Sequence, residues 1–166
     1  MNSQATQLQH GVFMKIFDTG VLISGDSGVG KSELALALLD RGHQLIADDV
    51  VEFFNLDDEV IGRAPLKLKN FLEVRGLGVF NIKTIFGDCA ILEQHHLSMI
   101  IHLQKVDIIP REVSLTPLYQ TLYGKLISRV IVPFITARRF ELFIETLVRN
   151  FQLQPQHSLS QSGIFS

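Results

Sequence analysis

Two short apolar runs, Val12 to Phe17 and Val21 to Ser24, open the patterned part of the chain, with Asp18-Thr19-Gly20 between them. A polar, glycine-containing triplet between apolar runs is turn chemistry and predicts a hairpin. From Lys31 to Arg41 the period changes. Leu34 and Leu38, with Ala35 and Leu39, form a stripe at helical spacing, and Gly42 supplies a terminator. Gln44 to Ala47 returns to strand character. Val50 to Phe54 and Val60 to Ile61 then flank Asn55-Leu56-Asp57-Asp58-Glu59, which predicts a second hairpin with a solvated acidic turn.

Beyond it the pattern weakens. Leu66 to Phe71 fits neither period. Leu72 to Asn81, interrupted by Gly76 and Gly78 and carrying Glu73 and Arg75, reads as a functional loop rather than regular structure. Ala90 to Leu92 and Leu97 to Leu103 read as strands. Residues 104–129 read as a loop with some local structure, and Arg129 to Ile135 as a strand with Pro133 at an edge or end. Phe140, Phe143, Leu147 and Phe151 repeat at helical spacing, and Ile144 and Val148 widen that face into a docking helix. The expected organisation is an extension over 1–9, one α/β domain over 10–151, and a Gln- and Ser-rich tail over 152–166.

The first hairpin's second strand runs directly into Gly25-Asp26-Ser27-Gly28-Val29-Gly30-Lys31-Ser32, and the helical stripe leaves it. Between strand and helix, this spacing is that of a phosphate-binding loop. Successive backbone N–H groups wrap a phosphate, Lys31 reaches the outer phosphates, and the Ser32 hydroxyl can ligate Mg²⁺. An ordinary glycine turn explains the glycines but not Lys31 and Ser32. An eleven-residue helix carries the chain roughly 16 Å from the loop, and four or five extended residues return it about 15 Å. Asp48-Asp49 is therefore expected back beside the loop, at the end of a strand parallel to the first. Alternation along a strand directs adjacent side chains to opposite sides, so one aspartate of the pair is expected to serve as a base.

Composition narrows the setting. The 166 residues suit one core, and fifteen basic against seventeen acidic residues provide no field favouring nucleic acid or a membrane surface. Neither a signal-peptide pattern nor an apolar run of membrane-spanning length is present, which points to a cytoplasmic protein. The single Cys89 excludes an internal disulfide and is expected to be a small core residue. Low charge and twelve phenylalanines suggest an apolar face covered by sister subunits.

The stretch Leu72-Glu73-Val74-Arg75-Gly76-Leu77-Gly78-Val79-Phe80-Asn81 resembles the signature of the HPr kinase/phosphorylase family. His10-Gly11-Val12, Gly25 to Glu33, Arg41-Gly42-His43 through Asp48-Asp49, and Tyr119 to Gly124 extend the resemblance across most of residues 9 to 150. It implies an α/β P-loop kinase core similar to phosphoenolpyruvate carboxykinase, with a central sheet, hairpins and flanking helices, assembled as a hexamer. It also implies transfer of phosphate from ATP or pyrophosphate to a serine of the phosphocarrier protein HPr, and removal by phosphorolysis with inorganic phosphate.

Carried over residue by residue, the resemblance makes Gly25 to Ser32 the donor site and Ser32 and Glu73 the Mg²⁺ ligands. His10, Lys31, Arg111 and Arg138 become active-site groups. Asp49 is favoured over Asp48 as the base that takes the serine proton and returns one during phosphorolysis. Three departures stand out. The family commonly has an N-terminal domain, whereas the resemblance here begins almost at the start of the sequence, as in the family's shorter forms. Pro110 precedes Arg111 where the family has Asp-Arg, and Ala137-Arg138-Arg139 replaces Gly-Arg-Asn. Kinase activity is accordingly expected to exceed phosphorolysis. Two other readings of the same residues are a nucleotide-sensing module without phosphoryl transfer and a small-molecule kinase.

Overall fold

The computed structural model describes residues 5–108, 111, 118–134 and 139–154. In chain order the strands and helices are β1 (Gln7–His10), β2 (Val12–Ile16), β3 (Thr19–Gly25), α1 (Lys31–Asp40), β4 (Gln44–Ala47), β5 (Val50–Leu56), β6 (Glu59–Arg63), β7 (Phe71–Val74) and β8 (Gly78–Asn81). There follow α2 (Ile82–Phe86), β9 (Gln94–His96), β10 (Met99–Lys105), β11 (Leu118–Leu122), β12 (Lys125–Phe134) and α3 (Phe140–Leu153).

The central sheet runs β11-β12-β10-β3-β2-β4 and carries the core on both faces. One face, with Val21, Ile23, Met99, Ile101 and Val132, is covered by α1 through Leu34 and Leu38, by α3 through Phe140, Ile144 and Val148, and by Leu72 and Val74 of β7. The other face, with Phe13, Leu22, Ile100 and Ile127, packs on the four-stranded sheet β1-β5-β6-β9 through Val51, Phe53 and Val60, joined by Leu97 just after β9. The inner strands β12, β10, β3 and β2 thus have apolar residues on both sides, which is why their sequence runs are near-continuous rather than alternating.

Both predicted hairpins form. Their turns centre on residue pairs with positive φ, Phe17 and Asp18 in the first, Asp57 and Asp58 in the second. Such pairs match the twist of two-residue hairpins. The first turn therefore starts one residue before the predicted triplet. β4 runs parallel to β3, as the crossover requires, but antiparallel β2 lies between them.

Several segments differ from their sequence patterns. Leu72 to Asn81 is regular: β7 and β8 pair antiparallel about the tight loop at Gly76, because Leu72 and Val74 find a buried face against the core. The strand predicted over Ala90 to Leu92 does not form: Ala90 ends a 3-10 turn over Asp88–Ala90, and Ile91 makes one isolated bridge to Leu45. β12 begins at Lys125 inside the stretch read as loop, since β11 turns back on it at Tyr123 and Gly124. Pro133 lies near the end of β12, past the residues that pair with β11. Cys89 is exposed rather than in the core, because its turn leaves the sheet and its carbonyl accepts from Gln44 Nε2 at 3.0 Å.

The C-terminal helix docks through Phe140, Ile144 and Val148, with Leu147 and Phe151 partly buried, whereas Phe143 of the predicted face is exposed; polar contacts add to the apolar ones. Glu145, 5% exposed, receives Arg41 Nη2 and His43 Nε2, each at 2.6 Å. Arg149 lies over the Phe17 ring at 3.8 Å, and Gln152 Nε2 donates to Thr19 Oγ1 at 2.9 Å.

Candidate active site

The chain between β3 and α1 turns at Asp26, whose carbonyl accepts from Val29 N–H at 3.1 Å. Gly28 and Gly30 hold φ values of 84° and 115°, which side-chain-bearing residues rarely adopt. Gly30 ends the loop as the first residue before α1, so the helix's unpaired N–H groups open onto the space above the loop. Lys31 Nζ donates to the carbonyls of Gly25 (2.7 Å) and Asp26 (3.0 Å). Burial lowers its pKa, opposed by the charges of Asp26, Asp48 and Asp49.

Asp48 and Asp49 follow β4, and the structure returns them to the loop, as the length estimate requires. Their geometry departs from simple alternation. Val50 N–H donates to the Asp48 carbonyl at 2.8 Å across Asp49, whose φ is 71°. This is a γ-turn of the uncommon positive-φ form. It breaks the strand alternation, and both carboxylates line the same cleft. Asp48 is 8% exposed and its Oδ2 accepts from Glu73 N–H at 2.9 Å. Burial pushes its carboxyl up to about 6; the Glu73 N–H opposes this, while the Asp49 charge adds to it. Asp49 is exposed, and its carbonyl accepts from Gly11 N–H at 3.1 Å.

That bond from Asp48 to Glu73 fixes the β7–β8 hairpin against the loop. With Leu72 and Val74 buried, alternation places Glu73 and Arg75 on the outer side, and both line the cleft. A Cβ built on Gly28 would collide with Arg75 Nη1, so the guanidinium lies directly over the phosphate loop. Arg75 is placed by the sequence in a functional loop but is assigned no role in the site. Its two-residue spacing from Glu73 between buried apolar positions was the signal that could have found it.

The resulting cleft, about 290 Å³, is lined by Ser27, Gly28, Gly30, Lys31, Ser32 and Glu33 on the loop side and Asp48, Asp49, Glu73 and Arg75 opposite. His10 is exposed at the end of β1, in register with Val50, so its backbone neighbours the acid pair although it does not line the cleft. Arg111 is exposed and is not among the lining residues. Arg138 lies outside the described residues. Among the described residues no three His, Cys, Asp or Glu side chains converge as a protein-only metal cage requires. The Ser32 hydroxyl and the Glu73, Asp48 and Asp49 carboxylates are hard oxygen donors. That set suits Mg²⁺ held jointly with substrate phosphates and water, the usual arrangement for this ion.

The chain is similar to known proteins over most of its length. Residues 2–165 match the family described as HPr Serine kinase C-terminal domain. The HPr kinase/phosphorylase of Chromobacterium violaceum is 43% identical over 150 residues, covering 87% of this chain and 47% of that protein. The protein of the same name from Nitrosomonas europaea is 43% identical over 152 residues, covering 88% and 47%. The chain thus spans about half the length of the curated relatives it matches. The structure of the Hpr(Ser) kinase/phosphatase from Coxiella burnetii superposes with a TM-score of 0.81 at 34% identity, covering 89% of this chain and 97% of that one.

Proposed function

Because the chain belongs to the HPr Serine kinase C-terminal domain family, we propose that it transfers a phosphoryl group from ATP or pyrophosphate to a serine of an HPr-type phosphocarrier protein, reversibly through phosphorolysis with inorganic phosphate. The observation that carries this reading is the convergence of Lys31, Ser32, Asp48, Asp49, Glu73 and Arg75 on one cleft. Phosphoryl transfer needs positioning and charge neutralisation more than covalent chemistry, and these side chains supply both.

In the proposed mechanism the loop N–H groups and Lys31 hold the donor phosphates, Lys31 exchanging its two loop carbonyls for phosphate oxygens. Arg75 brings a second positive charge from above. Ser32 and Glu73 would hold Mg²⁺, which would supply neutralisation of the charge developing on the phosphates. Asp49, the exposed carboxylate of the pair, accepts the serine proton and returns it in the reverse direction. Asp48 is a positioning residue, since its carboxylate fixes the Glu73 backbone. His10 neighbours the serine side of the cleft. Arg111 and Arg138 are assigned to anion binding by resemblance alone. Self-association fits the exposed apolar Leu77, Val79 and Ile85, on and just after the β7–β8 hairpin.

Labelled ATP with Mg²⁺ and purified phosphocarriers tests the reading. Label should appear on a carrier serine, and Lys31→Ala should reduce transfer at least tenfold, since contacts to charged groups contribute about 1.5–3 kcal/mol. Nucleotide binding without transfer to any carrier would favour the sensing module. Transfer at an undiminished rate by a folded Lys31→Ala protein would refute the assignment of the loop.

A further inference from the structure

On the side of the phosphate loop away from the acid pair, three polar side chains share one face of the central sheet. Leu22, Ile100 and Ile127 are buried together between the two sheets. Even positions of β3 and β10 and odd positions of β12 therefore face that layer. Ser24, His102 and Arg129 belong to this set. Ser24 is in register with His102, and Arg129 with Ile100, one pleat from His102 on the neighbouring strand. Ser24 and Arg129 lie on the strands flanking β10, about 4.8 Å to either side of it, and the length of the arginine side chain lets its guanidinium reach toward the Ser24–His102 pair. Ser24 lies one residue before the carboxyl end of β3, where the phosphate loop begins, and His102 and Arg129 lie beside it on the next two strands of the sheet.

The chemistry of the three is unbalanced without a ligand. Arg129 is half-buried and, among the described residues, has neither an ion pair nor a hydrogen bond. Removing a guanidinium from water without a partner is unfavourable. His102 Nδ1 and Ser24 Oγ are 2.9 Å apart, while Nε2 has no partner among the described residues. The charged groups acting on this imidazole are Arg129 from β12 and Asp26 and Lys31 from the phosphate loop. Burial, then Arg129, lowers its pKa; Asp26 opposes them, and Lys31 adds a further small depression. The negative charge of an anion seated among these donors favours the protonated ring and so opposes both burial and Arg129.

We propose that Arg129, His102 and Ser24 form a second phosphate subsite on the β10 side of the phosphate loop, and that it takes inorganic phosphate. A guanidinium fork, an imidazole N–H and a hydroxyl match phosphate oxygens in number and geometry. The subsite deepens the phosphoryl-transfer reading, because phosphorolysis must hold two multiply charged anions at once. It rests on that reading for the choice of phosphate.

The test reads binding rather than turnover. Full-length protein labelled with ¹⁵N-histidine and carrying Lys31→Ala, which weakens the loop's own phosphate site, is titrated with millimolar inorganic phosphate against chloride at matched ionic strength. His102→Asn assigns the ring signals. The His102 nitrogens should shift saturably, and the ring pKa should rise when phosphate is bound. Arg129→Gln should weaken the apparent Kd at least tenfold, with partial recovery in Arg129→Lys. If Arg129→Gln does not fold, Ser24→Ala replaces it, with a two- to fivefold weakening expected. Absence of a saturable shift, or an unchanged Kd in the folded variant, would overturn the subsite. The carrier-phosphorylation assay separately reports whether the kinase reading stands.

Discussion

Asp49 combines the two properties expected of a strained functional residue: an exposed carboxylate and a backbone at φ 71° closed by the Val50 to Asp48 hydrogen bond. Such conformations cost roughly 1–3 kcal/mol and persist where surrounding contacts hold them. Asparagine also tolerates positive φ. Asp49→Asn should therefore melt within a degree or two of the parent yet lose transfer in both directions by tenfold or more. Normal activity in that variant would assign the proton to another group. Asp48 makes a separate, pH-dependent prediction. Its folded pKa, about 6, lies above the ordinary 3.8, so the folded protein binds the proton more tightly than the unfolded chain. Its contribution to stability is fully present below pH 4, declines as pH rises toward 6, and is then constant. Asp48→Asn keeps an oxygen for the Glu73 N–H and removes this cost. Melting temperatures measured from pH 4 to 8 should show a flatter profile for Asp48→Asn, and a higher value above pH 6.

At the scale of elements, two pieces combine buried apolar residues with charged ones. The β7–β8 hairpin buries Leu72 and Val74 and presents Glu73 and Arg75, so its glycines serve the turn while alternation serves the cleft. The α3 helix buries Ile144 and Val148 beside a buried carboxylate, Glu145, shared by Arg41 and His43. Arg41 and then burial act on Glu145 in opposite directions, and its pKa stays below the usual carboxylate range. Its contribution is present above the unfolded value and is lost as pH falls through the folded one. Glu145→Ala leaves His43 buried without this acceptor. Calorimetry should show melting lowered by about 5 °C or more at pH 7, and a weaker loss of stability on acidification. Equal melting of variant and parent would mean that the apolar contacts of α3 suffice.

At the scale of the whole molecule, the two sheets meet at Phe13, Phe53 and Gly62. A Cβ on Gly62 would lie 2.6 Å from both rings, closer than packed carbons approach, and each ring is fully buried. Gly62→Ala should cost about 1–3 kcal/mol through overpacking, read as a lower urea midpoint with an unchanged slope; an unchanged midpoint would show that the layers can part. The legible part of this fold was local. The loop from Gly25 to Ser32, the helix after it, both hairpins and the docking face of the last helix follow from turn residues and periodicity, because each depends on neighbours a few positions away. Chain length alone also returned Asp48 and Asp49 to the loop, since rise per residue is nearly constant. The placement of β2 between β3 and β4, the regular hairpin at Leu72 to Asn81 and the exposure of Cys89 were decided by pairing and burial between distant segments. So were Arg75 over Gly28, the γ-turn that brings both aspartates into one cleft, and the meeting of Ser24, His102 and Arg129 on one face. No local pattern encodes which strands become neighbours, and those neighbours determine which charges share a site.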